Sequence, residues 1–470
     1  MRRMERLRRI SAPGLVLYAS VVAAILLGGS PRADVSSLIV LRPLGVVAFA
    51  CALWNVRTGE VRPYRWQLGI ALGALCLITL QLVPLPPAVW RALPGREIIT
   101  DIDAAMAMTG LWRPLTMTPI ATCNSLWWIL LPIAVLVSGT STAARTRHGL
   151  LTLWLIAGLL SGLIGYLQVI APGQMRWLYF YAVSNQPAGV GLFANRNHQA
   201  LLLACLFPML AIFASGRGGL LSSRMRLSVA AAAGVVLVPL ILVTGSRAGL
   251  LLGIMGLIAV PWLYHAQPYH PGLRNSRPRM HLRRHVMLCV AVFAVVFAAL
   301  AMTRAEAVQR WFEADPLGSG GRFPVWSVIL ANWSDYFPWG SGIGSFQQIF
   351  LLHEPSSLLS FTYRNQAHSD WLDLLMTGGL PGLVLLAAGL AFYGLAVRRM
   401  ICLAKHQRYG ACEDHFRLGV VIIGMLMVAS LFDYPLRTPS LVCLLATAAL
   451  WLPLPRGEDL EQADQHKKIS

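Results

Sequence analysis

Charge is scarce in this sequence. Only 13% of its 470 residues are Asp, Glu, Lys or Arg, whereas 56% are hydrophobic and the mean hydropathy is +0.60. Soluble domains carry about 25% charged residues, so the composition excludes a disordered chain and an ordinary cytosolic enzyme. Cysteine is sparse and scattered. Six of the eight, at positions 51, 76, 123, 205, 289 and 443, fall in or beside apolar runs, and Cys402 and Cys412 share one short polar stretch. That distribution excludes a disulfide framework. There is no CxxC or HExxH pair, no P-loop and no GxGxxG after a strand, so neither a metal nor a nucleotide cofactor is expected. Internal repeats are absent too.

What is present is long apolar sequence. A helix needs about 20 mostly apolar residues to cross a hydrocarbon core about 30 Å thick. Twelve runs qualify: 14–29, 38–54, 67–83, 121–138, 149–170, 197–214, 227–243, 247–264, 286–302, 380–397, 416–432 and 438–453. The expected fold is therefore an all-α polytopic membrane protein of about 12 transmembrane helices, with a large helical loop between helices 9 and 10. Met1 to Arg9 carries five arginines ahead of the first run, and Gly28-Gly29-Ser30 imitates a signal-cleavage region. The many further runs favour a retained first helix over a secretory leader.

The formal charge is +19, from 39 Lys and Arg against 20 Asp and Glu. In a soluble protein that excess would suggest nucleic acid; here its distribution marks topology. Positively charged loops stay in the cytoplasm, and alternate loops agree once the N-terminus is placed inside. The inner set holds Arg57, Arg62 and Arg65, then Arg145 and Arg147, then Arg217, Arg224 and Arg226. It continues through Arg274, Arg277, Arg279, Arg283 and Arg284, then Arg398, Arg399, Lys405, Arg408 and Arg417, and a tail with Arg456, Lys467 and Lys468. Both termini are thus expected in the cytoplasm, with the bilayer, not nucleic acid, as the partner of this charge.

Three regions follow. Residues 1–190 hold the first five helices and an outer loop near 84–120. Residues 191–400 hold the next group and the long outer loop 303–379, and residues 401–470 hold the last helices and the tail. Within the long loop, Gly320-Gly321-Arg322-Phe323-Pro324-Val325-Trp326 reads as a helix start, because proline suits a first turn. Trp326, Ile329, Leu330 and Trp333 continue at helical spacing, with Arg322 one turn before Trp326. The plain alternative is a surface helix anchored by its tryptophans at headgroup level. A second helix is expected from Asn365 to the Gly378-Gly379 stop, placing His368, Leu372 and Leu375 on one face.

Several arginines lie on the outer side, where topology does not favour them. Arg196 stands in Phe193-Ala194-Asn195-Arg196-Asn197-His198 and Arg247 in Thr244-Gly245-Ser246-Arg247-Ala248-Gly249. Arg322 and Arg364 belong to the long loop, and Arg437 to Asp433-Tyr434-Pro435-Leu436-Arg437. One arginine near a helix end can snorkel to the interface; five at one level need a further reason. Guanidinium binds phosphate oxygens in a fixed fork and keeps its charge. A lipid diphosphate that loses its sugar gains negative charge, so such arginines would stabilise the transition state more than the ground state. His368 suits the general base that takes the proton of an acceptor hydroxyl.

These segments resemble the O-antigen ligase and O-antigen or exopolysaccharide polymerase family, bacterial inner-membrane glycosyltransferases. The resemblance rests on Phe193 to Ala200, Gly245 to Gly249, Gly321-Arg322 with Trp326, and Ala367-His368-Ser369-Asp370 through Gly378-Gly379-Leu380-Pro381-Gly382. Pro84-Leu85-Pro86-Pro87 and Asp433 to Arg437 look like members from polysaccharide export clusters. The sequence departs from the usual pattern at Ser369-Asp370 and at Thr377-Gly378.

The resemblance implies an undecaprenyl diphosphate-linked glycan donor used at the periplasmic face without metal or nucleotide. Arg247 and Arg322 would hold the diphosphate, assisted by Arg196, Arg364 and Arg437, with His368 activating the acceptor. His198, Asp370 and Asp433 are candidate supporting residues. The reaction expected is inverting glycosyl transfer in polysaccharide polymerisation, the acceptor being a lipid-linked repeat unit. The alternative is ligation to lipid A–core or to a protein, in either case alongside other polysaccharide-assembly proteins. A lipid-linked sugar flippase would need ionisable residues and broken helices near mid-membrane, often in two related halves. Here the charges cluster at one mouth and the halves are unalike.

Overall fold

The computed structural model describes residues 11–56, 58–170, 176–216, 221–265, 322–359, 365–405 and 410–454. The expected span 286–302, loop residues 303–321, Arg364 and the basic stretches near 1–9, 274–284 and 456–468 lie outside the described residues, as do Arg57, Arg217 and Arg408.

The fold is all-α and membrane-type. Each other expected run coincides with an apolar helix: α1 (Ala12–Leu27), α2 (Leu38–Trp54), α3 (Arg65–Gln81), α4 (Pro119–Thr140), α5 (Ala144–Ile170), α6 (Arg196–Ser215), α7 (Ser223–Val243) and α8 (Arg247–Leu263). After two helices of the long loop, α9 (Arg322–Asn332) and α10 (Phe346–His353), come α11 (Asp370–Lys405), α12 (Ala411–Phe432) and α13 (Pro439–Leu450). Among the described residues six helices are long and apolar enough to cross a membrane, or seven if α2 and the segment Gly59–Gln81, bent by 110°, count as one span. The others are shorter, 16 residues in α1, 17 in α8 and 12 in α13. The protein is a multi-pass membrane protein.

Two helices organise the packing. The apolar stretch of α6 is 94% buried, enclosed by α5, α7, α8 and α12; a helix apolar all round must be shielded on every side. Helix α4 is the second centre and packs on α1, α2, α3 and α13. Helix α1 belongs to the core, with Leu17, Val21 and Ala24 fully buried. The glycines after it serve close packing: a Cβ on Gly29 would lie 2.0 Å from the Leu192 carbonyl oxygen, and one on Gly28 2.8 Å from Pro439 Cβ. Outward surfaces carry large exposed apolar side chains such as Ile39, Trp262 and Val384. In water such a surface would be a liability; in lipid it matches its solvent.

The basic loops and the candidate site separate to opposite ends. At one end Pro63 accepts from the Leu454 amide at 2.8 Å, Trp451 donates to the Arg147 carbonyl at 3.0 Å, and His148 stacks on His415 at 3.8 Å. At the other end Gly28 accepts from Ser440, and Gly29 from Ala194.

At that second end the described parts of the two long loops form one cap. Pro84–Leu85 pairs antiparallel with Arg113–Pro114, Leu85 facing Arg113. The Arg96 side chain, 1% exposed, donates to the carbonyls of Pro94 and Leu115 at 2.8 Å and of Gly340 at 3.2 Å, stitching the first loop to the second. Burial lowers its pKa to about 10. Beneath lies a satellite core of Val325, Ile329, Tyr336, Phe346, Phe350 and Met376.

Candidate active site

Expected and observed structure part at the second long-loop helix. It begins at Asp370 rather than Asn365. Its first turn is capped by Ser369, whose Oγ accepts from the Leu372 amide at 3.4 Å. His368 precedes that cap with φ +52°, in the left-handed region, and so cannot share a helical face with Leu372 and Leu375. Strain of this kind at a non-glycine residue persists only where the surroundings hold it. They do so here: the Trp326 indole donates to the Ala367 carbonyl at 3.0 Å, and the Asp370 amide to the Asp433 carbonyl at 3.2 Å. The imidazole is thereby turned from the helix face toward the turn after α12.

Asp433 sits at the centre of that turn, 3% exposed. Its Oδ1 lies 3.6 Å from His368 Nδ1, and neither atom has another hydrogen-bond partner. That separation is slightly beyond direct hydrogen bonding but close for opposite charges. Oδ2 is 3.4 Å from the Asn195 side-chain amide and 3.9 Å from His198 Nε2. Burial alone would raise the Asp433 pKa, but His368, His198 and Arg322 together outweigh it and hold the carboxyl at about 2. Asp433 is therefore a carboxylate at any physiological pH. Tyr434 stands edge-on to both imidazoles, at 5.1 Å from His368 and 5.2 Å from His198, and burial and then Asp433 push its phenol pKa up.

The lower shell positions these groups. Asn195 caps α6 by accepting from the Asn197 amide at 2.8 Å. His198, 1% exposed, has its Nδ1 2.9 Å from the Thr438 hydroxyl. Ser246 caps α8 and donates to the Asn197 side-chain oxygen at 2.7 Å, linking the Arg247 turn to the Arg196 turn. The Arg196 guanidinium passes 3.7 Å from where a Gly245 Cβ would stand. Asp370 accepts from the Ser430 hydroxyl at 2.9 Å and the Leu436 amide at 3.0 Å. Arg437 is committed to Asp373 at 2.5 Å, a buried carboxylate. Its guanidinium ties the turn to α11 instead of standing open for a substrate.

Of the expected residues, His368, Asp433, His198 and Arg322 are brought into one electrostatic group, and Arg196 and Arg247 share the adjoining pair of turns. Asp370 and Arg437 form the scaffold beneath; Arg364 lies outside the described residues. Helix α9 differs from expectation in its buried face, which is Val325 and Ile329, while Leu330 is 56% exposed. Sequence reasoning gave no role to Asn195 or Tyr434. The cap signal of Asn195, directly before a helix, was readable; Tyr434 carried no signal of its own.

The chemistry of the assembly follows. Helices α6, α8, α11 and α13 begin beside these residues, so their positive N-terminal dipole ends add to the arginines and favour an anion. A carboxylate facing Nδ1, as Asp433 does, favours the tautomer with its proton there, in which Nε2 is the basic nitrogen. Among the described residues no group of three or more His, Cys, Asp or Glu side chains is placed to hold a metal ion.

Residues 203–387 match the family model described as O-antigen ligase. The matched stretch includes Arg247, Arg322 and His368 and ends before Asp433. No curated protein matches the chain.

Proposed function

We propose that this chain, similar to the O-antigen ligases over residues 203–387, is a twelve-span inner-membrane inverting glycosyltransferase. It moves a glycan from an undecaprenyl diphosphate-linked donor to an acceptor sugar hydroxyl at the periplasmic face, with both termini in the cytoplasm. The observation that carries this reading is the Asp433–His368 pair, 3.6 Å apart, set beside Arg322 and close to the starts of α6, α11 and α13.

His368 Nε2 takes the acceptor hydroxyl proton as the oxygen attacks the anomeric carbon, while Asp433 stabilises the imidazolium that results. The bond from that carbon to the diphosphate breaks, inverting the configuration, and the leaving diphosphate carries the charge away. Arg322 and Arg247, assisted by Arg196 and Arg364, meet that charge as it develops. Arg437 is reassigned from the clamp to positioning, because its partner is Asp373. The catalytic region is residues 191–400, with the last helices, 401–470, contributing Asp433.

The growing chain of a polysaccharide polymerase, passed to a lipid-linked repeat unit, is the first reading. Transfer to lipid A–core is the second, favoured by the description of the matching family. The decisive experiment is His368→Ala in membranes supplied with a defined lipid-diphosphate glycan. Transfer should fall by at least ~10²-fold, the usual contribution of a general base, at unchanged protein level and topology. Full transfer by this variant would remove the imidazole from the mechanism.

A further inference from the structure

Beside the site, and outside it, lies a cavity of about 1020 Å³ between α2, α3, α4, α11, α12 and α13. Sites for drug-sized ligands occupy about 300–1,000 Å³, and this one lies at the upper end of that range. Its depth is mostly apolar, with Ile133, Leu386 and Leu426 among the walls and Gln67 a polar exception bonded to the Ala449 and Leu452 carbonyls. Its mouth is polar: Gln347, Gln348, Asn365 and Gln366 present amides and Trp371 an indole. Arg42 lies at the same rim, its Nε without a hydrogen-bond partner.

Amides both donate to and accept from sugar hydroxyls, and an indole offers a flat apolar face with a polar handle. A hydrocarbon interior under a sugar-binding rim describes a glycolipid. Asp370 and Arg437 line the cavity, whereas His368, Asp433, Arg247 and Arg322 do not. The Asp370 and Asp373–Arg437 wall therefore divides the cavity from the arginines proposed for the donor diphosphate. Two of the rim residues, Asn365 and Gln366, precede His368 by only three and two positions.

We propose that this cavity is the subsite of the acceptor, a glycan anchored on a hydrocarbon chain. The chain enters among the apolar walls of α4, α11 and α12, and the sugars lie against the glutamines of α10. The segment 365–367 brings the reacting hydroxyl to His368. This assignment rests on the glycosyltransferase reading and makes the acceptor a membrane lipid rather than a protein or a free sugar.

Gly389 gives the test. It lines the cavity, and no heavy atom lies within 4 Å of the place a Cβ would take, so Gly389→Trp fills the space without displacing backbone. Gly394 on the same helix is equally open but lies outside the cavity, which makes Gly394→Trp the control. With purified protein in nanodiscs, Gly389→Trp should raise KM for a lipid-anchored acceptor by about tenfold or more, since several buried methylenes lose their place. KM for the donor and transfer to the same glycan without its chain should stay at wild-type values, and Gly394→Trp should change neither. A rise in donor KM, an equal loss on both acceptors, or no change would overturn the proposal.

A binding arm is independent of catalysis: photolabelling by a glycolipid with a diazirine in its hydrocarbon chain. Label should reach the α11 and α12 walls and be displaced by unlabelled acceptor glycolipid, not by the same glycan without its chain. Labelling of a protein that shows no transfer would defeat the glycosyltransferase reading and leave the lipid cavity standing. Transfer without labelling of these walls would defeat the cavity assignment alone.

Discussion

At the scale of single residues, Asp433 decides what His368 can do. A buried carboxylate without compensation would protonate; this one is held at about 2 by two imidazoles and Arg322, against the burial that opposes them. The sign of the resulting linkage is that of a depressed acid. The stability its charge contributes is fully present above the ordinary carboxylate value of ~3.9 and is lost only as pH falls through about 2. Asp433→Asn should therefore lower transfer by a roughly constant factor, about 10²-fold, from about pH 5 to about pH 8. A defect that vanished toward the acid end of that range would show that Asp433 titrates there and is not a fixed charge. Arg437 teaches a second lesson at this scale. The sequence places it among the arginines expected to assist at the diphosphate; its bond to buried Asp373 gives it a different task.

At the scale of elements, α11 couples the cap to the membrane region. Its helical path breaks at Gly379, with φ +57° and ψ −151°, a conformation that essentially only glycine adopts. The carbonyls freed by the break are not wasted: Met376 accepts from Ser341 at 3.1 Å and Thr377 from Gly342 at 2.9 Å. A Cβ at Gly379 would stand 2.3 Å from the Pro338 carbonyl oxygen. Gly379→Ala should cost at least ~1–3 kcal/mol in strain alone and loosen the cap from α11. The expected readout is a lower melting temperature in detergent with faster proteolysis in residues 333–345. Wild-type behaviour in both would show that the kink tolerates a side chain. The sequence marked this position as a helix stop, since glycine is common there. That the chain resumes as helix one residue later depends on the 338–342 segment packed against it, which no local pattern encodes.

At the scale of the whole molecule, the described basic loops and the arginine-rich site lie at opposite ends, as alternation of loops between the two sides of a membrane requires. Seven described cysteines are free, so a cysteine-free background can be built for labelling. Exposed Ser356, in the cap, and exposed Ser223, at the start of α7, are suitable probes. Ser356→Cys should react with a membrane-impermeant maleimide on intact spheroplasts, and Ser223→Cys only after lysis; the reverse pattern would invert the orientation.

The sequence by itself determined the helical membrane class and the position of the described apolar helices, because hydrophobic length is a local property that lipid and water read directly. Only the tertiary structure decided which arginine faces Asp433 and which is bound to Asp373. It also turned His368 off its helix and set Asn195, His198 and Tyr434 around one carboxylate. Those choices depend on contacts between residues far apart in the chain, from 41 positions for Trp326 with Ala367 to 238 for Asn195 with Asp433, and packing at that range leaves no period or spacing in the sequence.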